Sequence, residues 1–280
     1  MCPHFLAPNY GEDANRRPRF VKNEVDMLRN EDKYALEFDP REYLNEYYLI
    51  EPDIEDRFVV EFMVKALNKM PSDLLTLEFG GGPTLFAVAT LSPRSREIHF
   101  CDYVTASLDE VRHWLAGGPN TFDWTPYIKL TLGIEGQPTT PAAVAERRAE
   151  MRRKVTRLSR CDALCESPLG RCDLHYDLVV AQTVTDTAAR TVPEWIQIMD
   201  NIGTLVAPGG WFLISVLTGT RAYLVGEKQF PYVDLSDEDI YRGYVAAGFD
   251  PETFYLERID APTGRGYAGV ASATARKLAR

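Results

Sequence analysis

Three consecutive glycines, Gly80, Gly81 and Gly82, sit inside the segment Leu77-Glu-Phe-Gly-Gly-Gly-Pro-Thr84. The apolar residues ahead of them read as a buried strand, and the stretch from Thr84 to about Leu91 reads as a helix behind them. Glycine lets backbone approach a ligand that a Cβ would push away, and the first N–H groups of a helix offer donors to it. Strand, turn and helix together therefore predict a nucleotide-type site. About 20 residues after Gly82 a second apolar run, Ile98 and Phe100, ends in Asp102, where an acid meets ribose hydroxyls in a doubly wound sheet.

The turn also excludes ligands. Gly82-Pro83-Thr84 lacks the lysine that closes a phosphate-binding loop, so ATP bound in that way is ruled out. Leu85 holds the place of the third glycine in a dinucleotide fingerprint, which weakens NAD. Glu78, just ahead of the glycines, is poorly placed for phosphate and suits a cationic ligand such as the sulfonium and ammonium of S-adenosylmethionine; the alternative is an acid that caps its own turn.

Other chemistry-bearing residues read two ways. Tyr43 and Tyr47 are four apart and share a helix face, either as a core stripe or as an arm that folds over the glycine turn and excludes water. Asp186 follows a strand end, a position that favours function, although loop aspartates also form turns. Cys161, Cys165, Cys172 and His175 lack the spacing of paired zinc knuckles, so no metal is expected. His99 and His113 read as packed or surface histidines.

The elements that position these residues alternate. Residues 1 to 37 are polar and read as a tail or loosely docked arm, and a helical stripe runs from Asp56 to Met70. Strands are predicted at Leu74 to Phe79, Glu97 to Cys101, Ile128 to Leu132, Asp177 to Ala181, Trp211 to Leu217, Thr253 to Arg258 and Ala268 to Ala275, with a short segment at Ser159 to Ala163. Helices fall at Ser107 to Leu115, Pro141 to Leu158, Pro193 to Leu205 and Ser236 to Ala247. This rhythm predicts an α/β fold: a doubly wound, Rossmann-like, seven-stranded, mostly parallel sheet with helices on both faces and an N-terminal helical lid. The expected division is an arm and lid over 1–55 and a ligand-binding domain over 56–280.

At 280 residues, with 45% hydrophobic and 26% charged content, the chain is long enough for one large core. A formal net charge of −10 opposes contact with phosphate backbones, so no nucleic-acid partner is expected. The exception, Arg147, Arg148, Arg152, Arg153, Lys154 and Arg157, is interleaved with Glu146 and Glu150 and reads as a solvated helix face. No stretch approaches a membrane span or a signal-peptide core, which points to the cytoplasm, and five scattered cysteines suit reduced thiols.

The chain resembles the nicotinamide, phenylethanolamine and indolethylamine N-methyltransferase family of class I S-adenosylmethionine-dependent methyltransferases. The resemblance runs from Phe38 onwards. It is carried by Phe38-Asp-Pro-Arg-Glu-Tyr-Leu-Asn-Glu-Tyr-Tyr48, Gly80-Gly-Gly-Pro-Thr84, Asp102-Tyr103, Phe122-Asp-Trp-Thr-Pro126, Cys161-Asp162, Ser167-Pro-Leu-Gly170, Pro208-Gly-Gly210 and Tyr223-Leu-Val-Gly-Glu227. It implies that Tyr43 and Tyr48 cover S-adenosylmethionine and that Gly80, Gly81, Gly82 and Thr84 cradle its amino-acid part. Asp102 would hold the ribose, with Tyr103 and Ser107 near the adenosine. Asp162 and Ala163 would flank the adenine, and Gln182, Thr183 and Ala188 would line the cofactor. Tyr47, Asp186, Tyr223 and Tyr232 fall at or beside substrate-pocket positions, with Tyr47 and Asp186 as candidates to assist deprotonation of an amine.

One departure stands out. Amine-handling members carry an acid just after the fifth strand, where this chain has Leu217, followed by Thr218-Gly219-Thr220 and one residue fewer before Tyr223. Three functions are compatible with that pattern: methylation of a small molecule at an amine nitrogen, intramolecular cyclisation of S-adenosylmethionine to azetidine-2-carboxylate, or binding of the cofactor without turnover. A monomer or homodimer is expected.

Overall fold

The computed structural model describes residues 30–49, 51–170 and 174–279. Five strands run parallel: β1 (Leu74–Phe79), β2 (Ser95–Asp102), β3 (Val155–Arg160), β4 (Tyr176–Gln182) and β5 (Val206–Thr218). β6 (Ala222–Val225) and β7 (Lys228–Pro231) form a separate hairpin. β8 (Tyr255–Asp260) and β9 (Gly269–Arg276) complete a seven-stranded sheet in the order β3-β2-β1-β4-β5-β9-β8, with β9 antiparallel to both neighbours. The chain leaves β1 toward β2 and β3, then returns to start β4 on its other side. That reversal opens a crevice beyond the strand ends.

Ten helices surround the sheet among the described residues: α1 (Asn30–Glu37), α2 (Pro40–Tyr47), α3 (Ile54–Asn68), α4 (Phe86–Leu91), α5 (Thr105–Leu115), α6 (Thr125–Ile134), α7 (Pro141–Lys154), α8 (Thr185–Ala188), α9 (Val192–Gly203) and α10 (Asp237–Ala246). Period-two alternation assigns the two faces. Ile98, Phe100, Leu178, Val180 and Leu213 pack with α3 to α7, whereas Leu77, Phe79, Val179, Ala181, Phe212 and Ile214 pack with α9 and α10. Strands buried on both sides must be apolar throughout, which is why β1, β4 and β5 read so clearly in the sequence.

The expected division at 55/56 falls inside α3, whose N-cap Asp53 accepts from the N–H groups of Glu55 and Asp56 while Asp56 accepts back from Asp53 N. The expected strand Ile128 to Leu132 is helix α6. Its alternation suggested a strand, but Pro126 sits in the first turn and Tyr127, Ile128, Thr131 and Leu132 are buried at helical spacing against α3, α4 and α7. The short segment expected at Ser159 to Ala163 lies at the end of the edge strand β3 and just beyond it. The β6–β7 hairpin had no counterpart in the sequence reading. Within the tract expected to be a tail, residues 30–37 form α1; residues 1–29 lie outside the described residues.

Part of the basic run in α7 goes into packing. Arg147 is buried, paired through both terminal nitrogens with Glu135 at 2.6 and 3.1 Å and donating to Ala89 O. The Arg152 guanidinium lies 4.7 Å from the Trp114 ring centre, and Lys154 donates to Ser95 O. These three cations fasten α7 to α4, α5, the end of α6 and β2, whereas Arg153 and Arg157 stay exposed, so the solvated face expected holds only for part of the basic run.

Candidate functional site

The glycine turn leaves β1 with Gly80 at φ 66° and Gly82 at φ 59°, in the left-handed region that glycine enters freely. Its N–H groups are turned inward. Gly80 N and Gly81 N donate to Cys101 O, Gly82 N to Asp102 Oδ2 and Thr84 N to Gly81 O. A phosphate would need those donors, so the turn offers close approach rather than an anion nest. A Cβ at Gly80 would collide with Val184 and one at Gly81 with the Phe100 ring, but the space beside Gly82 is open.

That open space belongs to a cleft of about 850 Å³. Its floor is the turn, with Thr84. One wall is Asp102, Tyr103 and Ser107, where β2 passes into α5, backed by Asp162 and Ala163 after β3. The other is Gln182 at the end of β4, with Thr183 and Ala188 after it. Asp102 Oδ2 accepts from Gly82 N and Oδ1 from Val104 N, each at 2.8 Å. Burial pushes its carboxyl up to about 6, with these two N–H groups opposing the rise. Asp162 Oδ1 accepts from Leu164 N and Oδ2 from the Cys165 thiol. The Arg160 guanidinium lies 5.0 Å from the Tyr103 ring centre and supports that side chain.

A second cleft of about 720 Å³ adjoins the first, and Tyr43, Gln182, Thr183 and Tyr223 line both. Tyr47, Tyr48 and Tyr232 line only the second, together with Leu217 from the end of β5 and Glu55, Asp56 and Tyr267. At the shared wall Thr183 holds φ 49°, a strained conformation for a β-branched residue. Gln182 is 6% exposed, and neither its Oε1 nor its Nε2 has a partner among the described residues.

Asp186 lines neither cleft. It is fully buried in α8, its Oδ2 accepting from Leu217 N at 3.0 Å and its main-chain oxygen from Val233 N. Burial raises its carboxyl to about 7 against N–H groups that lower it, and it is close enough to Tyr34 and Tyr232 to raise both phenols. Glu78 is also placed away from the ligand space. It is buried behind the turn, outside both clefts, and burial alone lifts its carboxyl well above the usual range. It is not the carboxylate facing a cation that its position suggested. Cys172 lies outside the described residues.

α1 and α2 close over the clefts and are held by the β6–β7 hairpin. Tyr47 OH donates to Leu224 O at 2.7 Å, Gly226 N donates to Glu46 Oε1, Lys228 Nζ donates to Glu37 O, and Tyr34 OH bonds Tyr223 OH at 3.0 Å. Tyr34 and Phe38 thereby line the first cleft. Sequence reasoning missed both, together with Glu55, Asp56 and Tyr267. Only Phe38 sat in a recognised motif.

The match to known proteins covers this whole architecture. The NNMT/PNMT/TEMT family model matches residues 26–278. The chain belongs to the NNMT/PNMT/TEMT family of class I S-adenosylmethionine-dependent methyltransferases. It is 28% identical over 260 residues to nicotinamide N-methyltransferase of Homo sapiens, covering 90% of this chain and 97% of that one. It is 29% identical over 232 residues to indolethylamine N-methyltransferase of Oryctolagus cuniculus, covering 79% and 86%. Among solved structures, Burkholderia thailandensis 1,6-didemethyltoxoflavin-N1-methyltransferase superposes with a TM-score of 0.54 at 17% identity, over 98% of this chain and all of that one. The CcbJ methyltransferase of Streptomyces caelestis gives 0.51 at 16%, over 91% and 100%. These two likenesses show the fold.

The first cleft of this methyltransferase suits S-adenosylmethionine on its own chemistry. The Ser107 hydroxyl is buried without a partner among the described residues, the space at Gly82 is open, and Asp102 presents a carboxylate at the strand end. The N–H groups of the glycine turn are spent on Cys101, Asp102 and Gly81, so the turn itself offers phosphate no nest.

Proposed function

We propose that this methyltransferase moves a methyl group from S-adenosylmethionine in the first cleft to an amine nitrogen of a small molecule in the second. The observation that carries the reading is the common wall of Tyr43, Gln182, Thr183 and Tyr223, where the two clefts meet. Bound there, the cofactor supplies a methyl carbon activated by a sulfonium, open to direct displacement by a neutral nitrogen lone pair.

The chain's own contribution is placement, dryness and a proton acceptor. Asp102 holds the ribose hydroxyls with the lone pairs its two backbone bonds leave. Tyr103 and Ser107 bound the adenosine, and Asp162 accepts from the adenine amine beside Ala163. Gly80 to Gly82 and Thr84 seat the amino-acid end, with Tyr43 above it and Ala188 opposite. Tyr48, which stacks on Phe86 at 6.0 Å, shapes the acceptor side. Tyr47, Tyr223 and Tyr232 wall the acceptor. A protonated amine has no lone pair, so its proton must leave; Asp186, poised near neutrality, takes it through Tyr232. The net charge of −10 supports action on a small molecule without a nucleic-acid partner. No helix among the described residues is long and apolar enough to cross a membrane.

The test is incubation with S-adenosylmethionine, alone and with a panel of small amines, followed by mass spectrometry. Stable cofactor until an amine is added, then S-adenosylhomocysteine and methylated amine, supports the reading. Methylthioadenosine and a cyclic amino acid from the cofactor alone would replace it with intramolecular cyclisation. Tight binding with no product across the panel would leave a cofactor-binding protein.

A further inference from the structure

Gln182 ends β4 at the wall where the two clefts meet, and it is more than nine-tenths buried. Of the residues in that wall, it is the one whose buried side-chain polar atoms, Oε1 and Nε2, are left without a partner among the described residues. The Tyr223 hydroxyl beside it is engaged by Tyr34 at 3.0 Å. An unmet amide is costly to bury, so native structures satisfy such groups with protein, water or ligand.

The sheet decides which cleft the amide serves. Side chains two apart on a strand share a face, so Gln182 continues the row of Leu178 and Val180, which pack with α3 to α7. On β5 the same face carries Leu213, then Ser215 and Leu217, and the last two line the acceptor cleft. Gln182 stands in register with Ser215, whose hydroxyl bonds that of Ser272 at 2.7 Å. Val59 and Phe86 line the cleft on this face from α3 and α4. The next residue, Thr183, donates its N–H to Ser215 O at 2.7 Å, which ties the end of β4 to β5. The amide is therefore anchored on the acceptor side of the wall, where the reacting nitrogen has to arrive.

We propose that Gln182 orients the reacting nitrogen: Oε1 accepts an N–H of the neutral amine, and the acceptor is therefore a primary or secondary amine rather than a nitrogen without hydrogen. The inference rests on the placement of cofactor and acceptor proposed above. An amine held by one N–H keeps its lone pair free, and the bond fixes the direction in which that pair points. In the transfer, the lone pair forms the N–CH3 bond, the C–S bond leaves its electron pair on sulfur, and the ammonium formed sheds its proton. A nitrogen that brings no N–H leaves the buried amide oxygen unmet and is rejected for that reason. Methylation accordingly stops at the tertiary amine.

The test is calorimetric titration of protein saturated with S-adenosylhomocysteine, using probes that are uncharged at neutral pH. N-methylaniline is compared with N,N-dimethylaniline, which keeps the lone pair, and with ethylbenzene, which has CH2 for N–H; indoline and indane repeat the second comparison in a rigid frame. The N–H probes are expected to bind about tenfold tighter than their partners, and Gln182→Met, similar in length but apolar, to cut that preference about fivefold or more. Affinity for S-adenosylhomocysteine should stay within about threefold in the variant, which also reports that it folds. A wild type that binds S-adenosylhomocysteine but shows no N–H preference in either frame, absent probe binding included, overturns the inference and leaves the methyltransferase reading intact. A preference that survives Gln182→Met assigns the N–H to another group and overturns the role of Gln182. A matching loss of S-adenosylhomocysteine affinity in the variant gives the amide to the cofactor or the fold and overturns it as well. Failure of the wild type to bind S-adenosylhomocysteine would overturn both readings.

Discussion

At the scale of single residues, the site depends on groups held in states that the surroundings impose. Asp102 carries a proton below about 6 because burial disfavours its charge. Holding two hydroxyl donors requires the ionised form. Affinity for S-adenosylhomocysteine should therefore be full above that pH and fall about tenfold for each unit below it, read by calorimetry across pH; Asp102→Asn should flatten the profile and weaken binding roughly 100-fold. Thr183 stores a different cost, a left-handed backbone on a β-branched residue. Thr183→Asn, which tolerates that conformation, should stabilise the fold by about 1 kcal/mol and raise Tm by about 2–4 °C in scanning fluorimetry. An unchanged Tm would mean that no strain is held there. The glycines and Asp102 were legible in the sequence because strand, turn and helix are local patterns. Glu78 misled because its distance along the chain from the turn says nothing about which face of β1 it occupies.

At the scale of elements, packing and closure separate. Gly243 in α10 sits where a Cβ would come within 2.3 Å of the Trp195 ring on α9. Gly243→Ala should destabilise the protein by roughly 1–3 kcal/mol without changing the clefts, seen as a lower urea midpoint with the usual slope. Closure is held by few bonds. Tyr47→Phe removes the donor to Leu224 O and leaves the ring, so release of S-adenosylhomocysteine should speed up about fivefold in stopped-flow measurements, for a bond worth about 1 kcal/mol. The hairpin that receives this bond was invisible in the sequence: strands of four residues carry too little alternation to distinguish them from loop. The acceptor cleft was hidden for a related reason. It joins α3, the end of β5, the hairpin and the loop before β9, and no periodicity links Glu55 to Tyr267.

At the scale of the whole molecule, the seven-stranded sheet and its two helical faces followed from the sequence, because apolar strands alternating with amphipathic helices admit few other arrangements. Both walls of the cofactor cleft come from separate strand ends, so ligand ties the two halves of the sheet together. S-adenosylhomocysteine at about 100 times its Kd should raise stability by about 2.7 kcal/mol and Tm by roughly 5–10 °C. No shift at saturation would contradict a folded cleft that binds it. The sheet order has one more effect. β9 follows both β5 and β8 in the chain, yet it lies inside the sheet between them. Until residues 269–276 leave the ribosome, the 13-residue strand β5 has a bare hydrogen-bonding edge, and β8 has no partner in the sheet. Nascent chains halted before that point will therefore be sticky and sensitive to protease, and the acceptor cleft, which needs Val270, closes only once β9 has emerged.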